Sequence, residues 1–241
     1  MTTANRSRMD AAGGYGRILG WLLLWAVLIW LAFVGLGYLL GHTLRHSGLV
    51  HQDGAVDRWF ASHRHPFWNH VTKVATFGAE TITVISLGLV AFVLLRWAIG
   101  RWRESFFLAI SIIGEVVIFV STTLLVDRHR PSVPHMDGAP PTSSFPSGHT
   151  AAAVSLYGSL AVIAWHSAKA GWLRTLATVA AVVLPIAVAT SRLYRGMHYP
   201  TDVLAGALLS VCWLTVTSHL LLPDPPPAGA SVRVPRGAGV R

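Results

Sequence analysis

Residues 18–40 read ILGWLLLWAVLIWLAFVGLGYLL, twenty-three positions without one acidic, basic or histidine side chain. As a helix this run is roughly 34 Å long, against about 30 Å of bilayer hydrocarbon. It predicts a membrane span and sets how the rest is read. Further apolar stretches of helical length fall at 78–95, 105–126, 149–166, 175–190 and 201–222. The fourth and fifth are short and need flanking residues to complete a crossing. With 53% hydrophobic and 12% charged residues over 241 positions, the chain is too apolar for a soluble domain of this length. The expected fold class is all-α: a polytopic membrane helical bundle of six transmembrane helices. Its domain runs over 18–222, between a cytoplasmic segment at 1–17 and a disordered tail rich in Pro, Gly and Arg at 223–241.

Arg17 before a long apolar run also fits a signal peptide, but the length of the run and the lack of a small-residue cleavage site before Gly41-His42 favour a retained anchor. Cys212, the single cysteine, excludes an intramolecular disulfide and a cysteine metal cluster. With the N-terminus inside, eleven of the nineteen Lys and Arg residues fall on the inner side. The outer eight include Arg128, Arg130, Arg192 and Arg195, which chemistry would hold there, so the bias favours N-in and C-in. The net charge of +9 is mostly this orientation signal. No basic stripe with interleaved aromatics points to nucleic acid.

Between the first two spans, Val56, Trp59, Phe60, Phe67, Trp68 and Val71 are spaced as one side of a helix broken at Pro66, which predicts a helix lying in the outer interface. His63, His65 and His70 on this segment lack a Cys or acidic partner at ligand spacing, so a polar wet face is expected rather than a metal site.

Three short motifs stand at the ends of spans three to six, and the alternation of spans puts all three on one face. They are Arg130-Pro131, Pro146-Ser147-Gly148-His149, and Ser191-Arg192 followed by His198 and Asp202. Arg130 and Arg192 offer planar forks suited to phosphate oxygens. Ser147 is placed as the N-cap of span four, aiming free N–H groups at the same anion, and Gly148 lets the backbone come close. Phosphoryl transfer needs a nucleophile and a proton donor for the departing oxygen, and imidazole serves either role near neutral pH. His198 and His149 supply both without metal. Asp202, in the first turn of span six, is placed to accept the distal N–H of His198 and fix its tautomer.

Together, Arg130-Pro131, PSGH at 146–149 and Ser191-Arg192-x5-His198-x3-Asp202 resemble the three signature motifs of the type 2 phosphatidic acid phosphatases. That superfamily shares its motifs with acid phosphatases and vanadium haloperoxidases. The resemblance covers about 120–203. It implies His198 as the nucleophile forming a phosphohistidine, Asp202 as its orienting partner and His149 as the general acid. It further implies Arg130, Ser147, Gly148 and Arg192 as phosphate ligands, with no metal or cofactor. One departure stands out: Thr123 occupies the position, seven residues before Arg130, where the family usually has lysine. Arg128 is a candidate replacement and Arg195 a candidate ligand for a second phosphate. Tyr194 and Tyr199 flank the nucleophile. Glu115, within span three, suggests either function or a bonded acid inside the bundle. Glu80 either borders the pocket or sits in water, and His135 either touches a headgroup or, as expected, is a solvated loop histidine.

The implied activity is a lipid phosphate phosphatase working from the extracytoplasmic face of the plasma (inner) membrane. Its substrate would be a polyprenyl pyrophosphate, phosphatidylglycerol phosphate or phosphatidic acid. Two competing readings are a phosphotransferase using the same intermediate, separable by product analysis with an added acceptor alcohol, and a catalytically weak lipid-binding or transport protein, suggested by Thr123. A vanadate-dependent peroxidase is disfavoured by the spans and the absent lysine.

Overall fold

The computed structural model describes residues 3–44, 47–139 and 141–222; the expected tail at 223–241 lies outside them. The described residues form eight α-helices: α1 Thr3–Tyr38, α2 Gly48–Ser62, α3 Pro66–Phe77, α4 Thr81–Ile99, α5 Arg103–Leu125, α6 Gly148–Ser167, α7 Gly171–Tyr194 and α8 Pro200–Leu221. Helix α1 closes in a π-helical turn, Leu39–Thr43, and runs unbroken through the expected boundary at residue 17.

Among the described residues, five helical segments are long and apolar enough to cross a membrane: Gly14–Thr43, α4, α5, α7 and α8. The sixth expected span, α6, is long enough at 20 residues but falls short in hydropathy. The cause is its position. Helix α6 packs against α4, α5, α7 and α8, and among its large apolar side chains only Trp165 is exposed. A helix walled by protein need not be apolar all round. Its Ser155 donates to the Ser111 carbonyl of α5 at 3.1 Å, and its Ala151 carbonyl accepts from Ser210 of α8 at 2.8 Å. Small and hydroxyl side chains of this kind let membrane helices approach and bond across their interface. The outer helices do the opposite. Leu23 of α1, Leu89 and Val93 of α4, Ile113 and Val117 of α5 and Ile186 of α7 turn outward, as a bundle solvated by lipid requires.

Two apolar clusters hold the bundle. Phe33 of α1, Ile118 of α5 and Leu209 and Trp213 of α8 meet in one, with Val126 and Phe145 closing it at one end. Val84 of α4, Phe107 and Leu108 of α5 and Leu156 and Ile163 of α6 form the second. The opposite end is tied by polar contacts: Glu104 accepts from Arg101 and from Ser167, and Arg103 donates to the Leu221 carbonyl at 2.6 Å. Reading along the chain, the ends of α1, α5 and α7 and the starts of α4, α6 and α8 share one face.

Helices α2 and α3 form the helix broken at Pro66 that the sequence predicts. Pro66 opens α3 at its first turn, where a missing N–H costs nothing, and His65 Nδ1 accepts from the Phe67 N–H at 3.3 Å. The pair docks on α7 through polar contacts: Arg64 donates to the Tyr194 carbonyl, Tyr194 Oη to Asn69 Oδ1 at 2.7 Å, and Ser191 Oγ to the Thr72 carbonyl at 2.7 Å. Trp59, Phe67, Trp68 and Val71 line an apolar groove of about 950 Å³ between these helices and α7. The His63 ring stacks on Trp59 and bonds to the Trp59 carbonyl at 2.8 Å. Among the described residues no group of three His, Cys, Asp or Glu is arranged to hold a metal ion.

Candidate active site

The segment 126–147 folds back over the ends of α5 and α7 and is pinned from several sides. Ser144 N–H donates to the Arg128 carbonyl at 2.8 Å, Ser144 Oγ to the His129 carbonyl at 3.1 Å, and Met136 N–H to the Arg195 carbonyl at 3.1 Å. Ser147 N–H reaches the Asp202 carbonyl at 2.9 Å, joining the start of α6 to the start of α8. Gly206 makes that junction possible: a Cβ there would stand 2.4 Å from the Ser147 carbonyl oxygen. Gly148 is required for a similar reason, since its Cβ would stand 2.4 Å from the Phe119 ring. Its bare Cα therefore leaves room for an aromatic ring of α5.

The two arginines expected to grip phosphate share one pattern. Arg130 is anchored by Nη1 to the Met197 carbonyl at 2.8 Å, and Arg192 by Nη1 to Asp137 Oδ2 at 2.9 Å. In each the Nε–H is buried and unpartnered. Leaving a buried charged donor unsatisfied is expensive, and both groups are suited to bonding an anion. The first bond of α6 runs from Ala151 N–H to the Ser147 carbonyl at 3.0 Å, so the N–H groups of Gly148, His149 and Thr150 precede it and form a positive helix end. Ser147 stands at the N-cap as expected, but its hydroxyl bonds to Thr150 Oγ1 at 3.1 Å instead of capping the helix.

His198 lies between α7 and α8 and is buried. Its Nδ1 is 2.7 Å from the Ser144 carbonyl oxygen. A carbonyl only accepts, so the proton sits on Nδ1 and Nε2 keeps its lone pair. Burial, followed by the charges of Arg192 and Arg130, holds the ring well below the ordinary histidine range, leaving it neutral near pH 7. The expected partner differs. Asp202 Oδ2 is 4.0 Å from Nδ1, and the tautomer is set by the Ser144 carbonyl. Asp202, fully buried, accepts the Tyr199 N–H at 3.0 Å and a short contact from Arg128. His149, half-buried in the first turn of α6, is the other imidazole whose charge reaches His198.

Arg128 and Arg195, the further candidates for phosphate roles, are engaged by carboxylates. Arg128 is buried between Asp202 and Asp53, with Tyr199 stacked at 4.6 Å from its guanidinium. Arg195 forks onto Asp137 and donates further to the Met136 carbonyl at 3.2 Å. Both cations are spent on carboxylates. Thr123 is buried and donates to the Ser143 carbonyl at 3.3 Å, bracing the loop. His135 bonds to the Pro131 carbonyl at 3.0 Å within its own loop, and Tyr194 serves the α3–α7 contact. Glu80 is exposed at the N-cap of α4 without a capping bond. Glu115 is buried in α5 with neither oxygen hydrogen-bonded. Sequence reasoning missed Asp137, which bears on Arg192, and Asp53 and Asp57 of α2. The available signal was scarcity, since the whole chain has ten acidic residues and two of them stand one helical turn apart at 53 and 57.

The model of the PAP2 superfamily matches residues 104–224, half of the chain, including every one of these site elements except α2. The chain belongs to the PAP2 superfamily. It is 32% identical over 149 residues to the bacitracin transport permease protein BcrC of Bacillus licheniformis, covering 60% of this chain and 68% of that one. It is 33% identical over 135 residues to the putative undecaprenyl-diphosphatase YbjG of Escherichia coli K12, covering 54% and 62%. The fold resembles a transmembrane PAP2-type phosphatidylglycerolphosphate phosphatase from Bacillus subtilis, with a TM-score of 0.69, 21% identity and coverage of 80% and 94%. It also resembles Aquifex aeolicus LpxE, with a TM-score of 0.52, 20% identity and coverage of 67% and 92%.

Proposed function

We propose that this PAP2-superfamily phosphatase hydrolyses a membrane lipid phosphate through a phosphohistidine on His198, with a polyprenyl diphosphate as the first substrate to test. The observation that carries the reading is the pair of buried, unpartnered Nε–H groups on Arg130 and Arg192 beside a histidine whose Nδ1 is tied and whose Nε2 is free. Nε2 of His198 attacks the terminal phosphorus as its bond to the bridging oxygen breaks, and His149 gives the departing lipid monophosphate its proton. Arg130, Arg192 and the first N–H groups of α6 hold the remaining oxygens as charge develops. Water, deprotonated by His149, then attacks phosphorus, and the phosphorus–nitrogen bond breaks to release phosphate.

The relative with diphosphatase in its name supports a polyprenyl diphosphate over phosphatidylglycerol phosphate or phosphatidic acid. The basic residues of the α4–α5 and α6–α7 turns, Arg101, Arg103, Lys169 and Arg174, support a site on the extracytoplasmic face of the inner membrane. Phosphate release from a panel of these three lipids, by protein purified in detergent with EDTA present, tests the reading. The polyprenyl diphosphate is expected to be turned over fastest, and failure to release phosphate from any of the three would remove the proposal.

A further inference from the structure

Arg128 joins carboxylates from two helices. Its Nη2 donates to Asp53 of α2 at 2.9 Å, and its Nη1 makes the short contact to Asp202 of α8. Thr201 ties the same groups together: its hydroxyl accepts from Arg128 at 2.7 Å and donates to Asp53 at 2.5 Å, while its N–H donates to Asp53 at 3.2 Å. Asp53, Arg128 and Asp202 are all buried, so their charges are weakly screened. Two carboxylates and one guanidinium leave one net negative charge. Asp57, one turn further along α2, is buried with neither oxygen bonded. Burial first, and then the charges of Asp53 and Asp202, push its carboxyl up to about 8, so it is largely uncharged at pH 7.

The cluster abuts the nucleophile. Asp202 is 4.0 Å from Nδ1 of His198, and the other charges acting on that ring, Arg192, Arg130 and His149, oppose a positive ring. When Nε2 bonds to phosphorus with Nδ1 still protonated, the ring becomes cationic. Arg128 alone would cancel the one carboxylate near it. We propose that Asp53 is a positioning residue for phosphoryl transfer: through Arg128 it holds Asp202 in place and leaves the three-group cluster with a net negative charge that stabilises His198 as it becomes cationic. This rests on the reading of His198 as the nucleophile.

Asp53→Asn, Asp57→Asn, His198→Ala and the unaltered protein, purified in detergent, are compared for phosphate release from farnesyl diphosphate at pH 7. Asp53→Asn is expected to lower kcat about tenfold to a hundredfold, the range seen when an outer partner of a site group is removed, with KM within twofold. Asp57→Asn, which removes no charge at that pH, is expected to leave kcat within twofold. Losing a negative charge also makes His198 harder to protonate, so the acid limb of kcat/KM should move to lower pH in Asp53→Asn. Around His198 and this cluster stand the titratable and charged groups Arg192 of α7, His149 of α6, Asp202 of α8, Arg128 and Arg130 of the 126–147 loop, and Asp53, Asp57 and Arg58 of α2. If Asp53→Asn does not fold, Asp53→Glu and Asp53→Gln, alike in size and different in charge, repeat the comparison, and the Glu variant is expected to be at least fivefold faster. Equal kcat within that pair, or an unchanged kcat in a folded Asp53→Asn, overturns the role of Asp53 while leaving the phosphatase reading intact. Phosphate release by His198→Ala at the rate of the unaltered protein would instead remove the reading beneath it.

Discussion

His198 is oriented by a backbone carbonyl, and that bond together with the burial that keeps the ring neutral leaves Nε2 its lone pair. Because its proton affinity is depressed, protonation of His198 starts only at acid pH; the resulting fall in kcat/KM is expected below pH 6.5, and a midpoint above 6.5 in a pH profile would contradict the assignment. His149→Ala is expected to slow an alkyl phosphate by about 10² to 10⁴, the usual worth of general-acid help, and p-nitrophenyl phosphate far less, because that leaving group departs without a proton. Equal losses on the two would count against His149 as the acid. At this scale the spacing of the motifs pointed to both histidines, Asp202, Arg130 and Arg192, which the fold brings together. It could not expose the Ser144 carbonyl, since a backbone acceptor has no side-chain signature. Nor could it reveal that Arg128 and Arg195 are neutralised, because Asp53 and Asp137 lie far from them in sequence and reach them only through the fold.

Helix α6 shows why composition predicts an element better than its surroundings. The apolar run at 149–166 gave its place and length, while its modest hydropathy follows from the neighbours that wall it in, which no local pattern records. Its start is held by α8 at Gly206, so Gly206→Ala is expected to displace Ser147 and lower kcat at least about tenfold, along with the melting temperature, because the added Cβ meets backbone that cannot give way. Unchanged activity and melting would show that the α6–α8 junction is looser than described. Helix α2 carries the other element-scale prediction. The Asp57 carboxyl has a folded pKa of about 8 against 3.8 for an ordinary aspartate, so the folded protein holds the extra proton between these values and stability falls as pH rises through that window. Asp57→Asn removes this slope. Its melting temperature should exceed that of the unaltered protein by more at pH 8 than at pH 5, and an equal difference at both would argue that Asp57 is already ionised.

Six helices crossing in alternation bring the ends of α1, α5 and α7 and the starts of α4, α6 and α8 to one face, which the order of spans already implied. The side of the membrane proposed for that face rests on the basic turns alone. In a Cys212→Ser background, a cysteine at exposed Ser132 should react with an impermeant thiol reagent in intact cells and one at exposed Lys169 should not; the reverse pattern would invert the topology. Covalent labelling tests the joined picture of site and substrate most directly. The protein is mixed for milliseconds with a polyprenyl diphosphate labelled in its terminal phosphate, quenched in base and digested. The label is expected on the peptide containing His198, stable to base and lost in acid, and to be absent from His198→Ala, whereas turnover without any labelled histidine, or labelling that survives in His198→Ala, would contradict nucleophilic attack by His198.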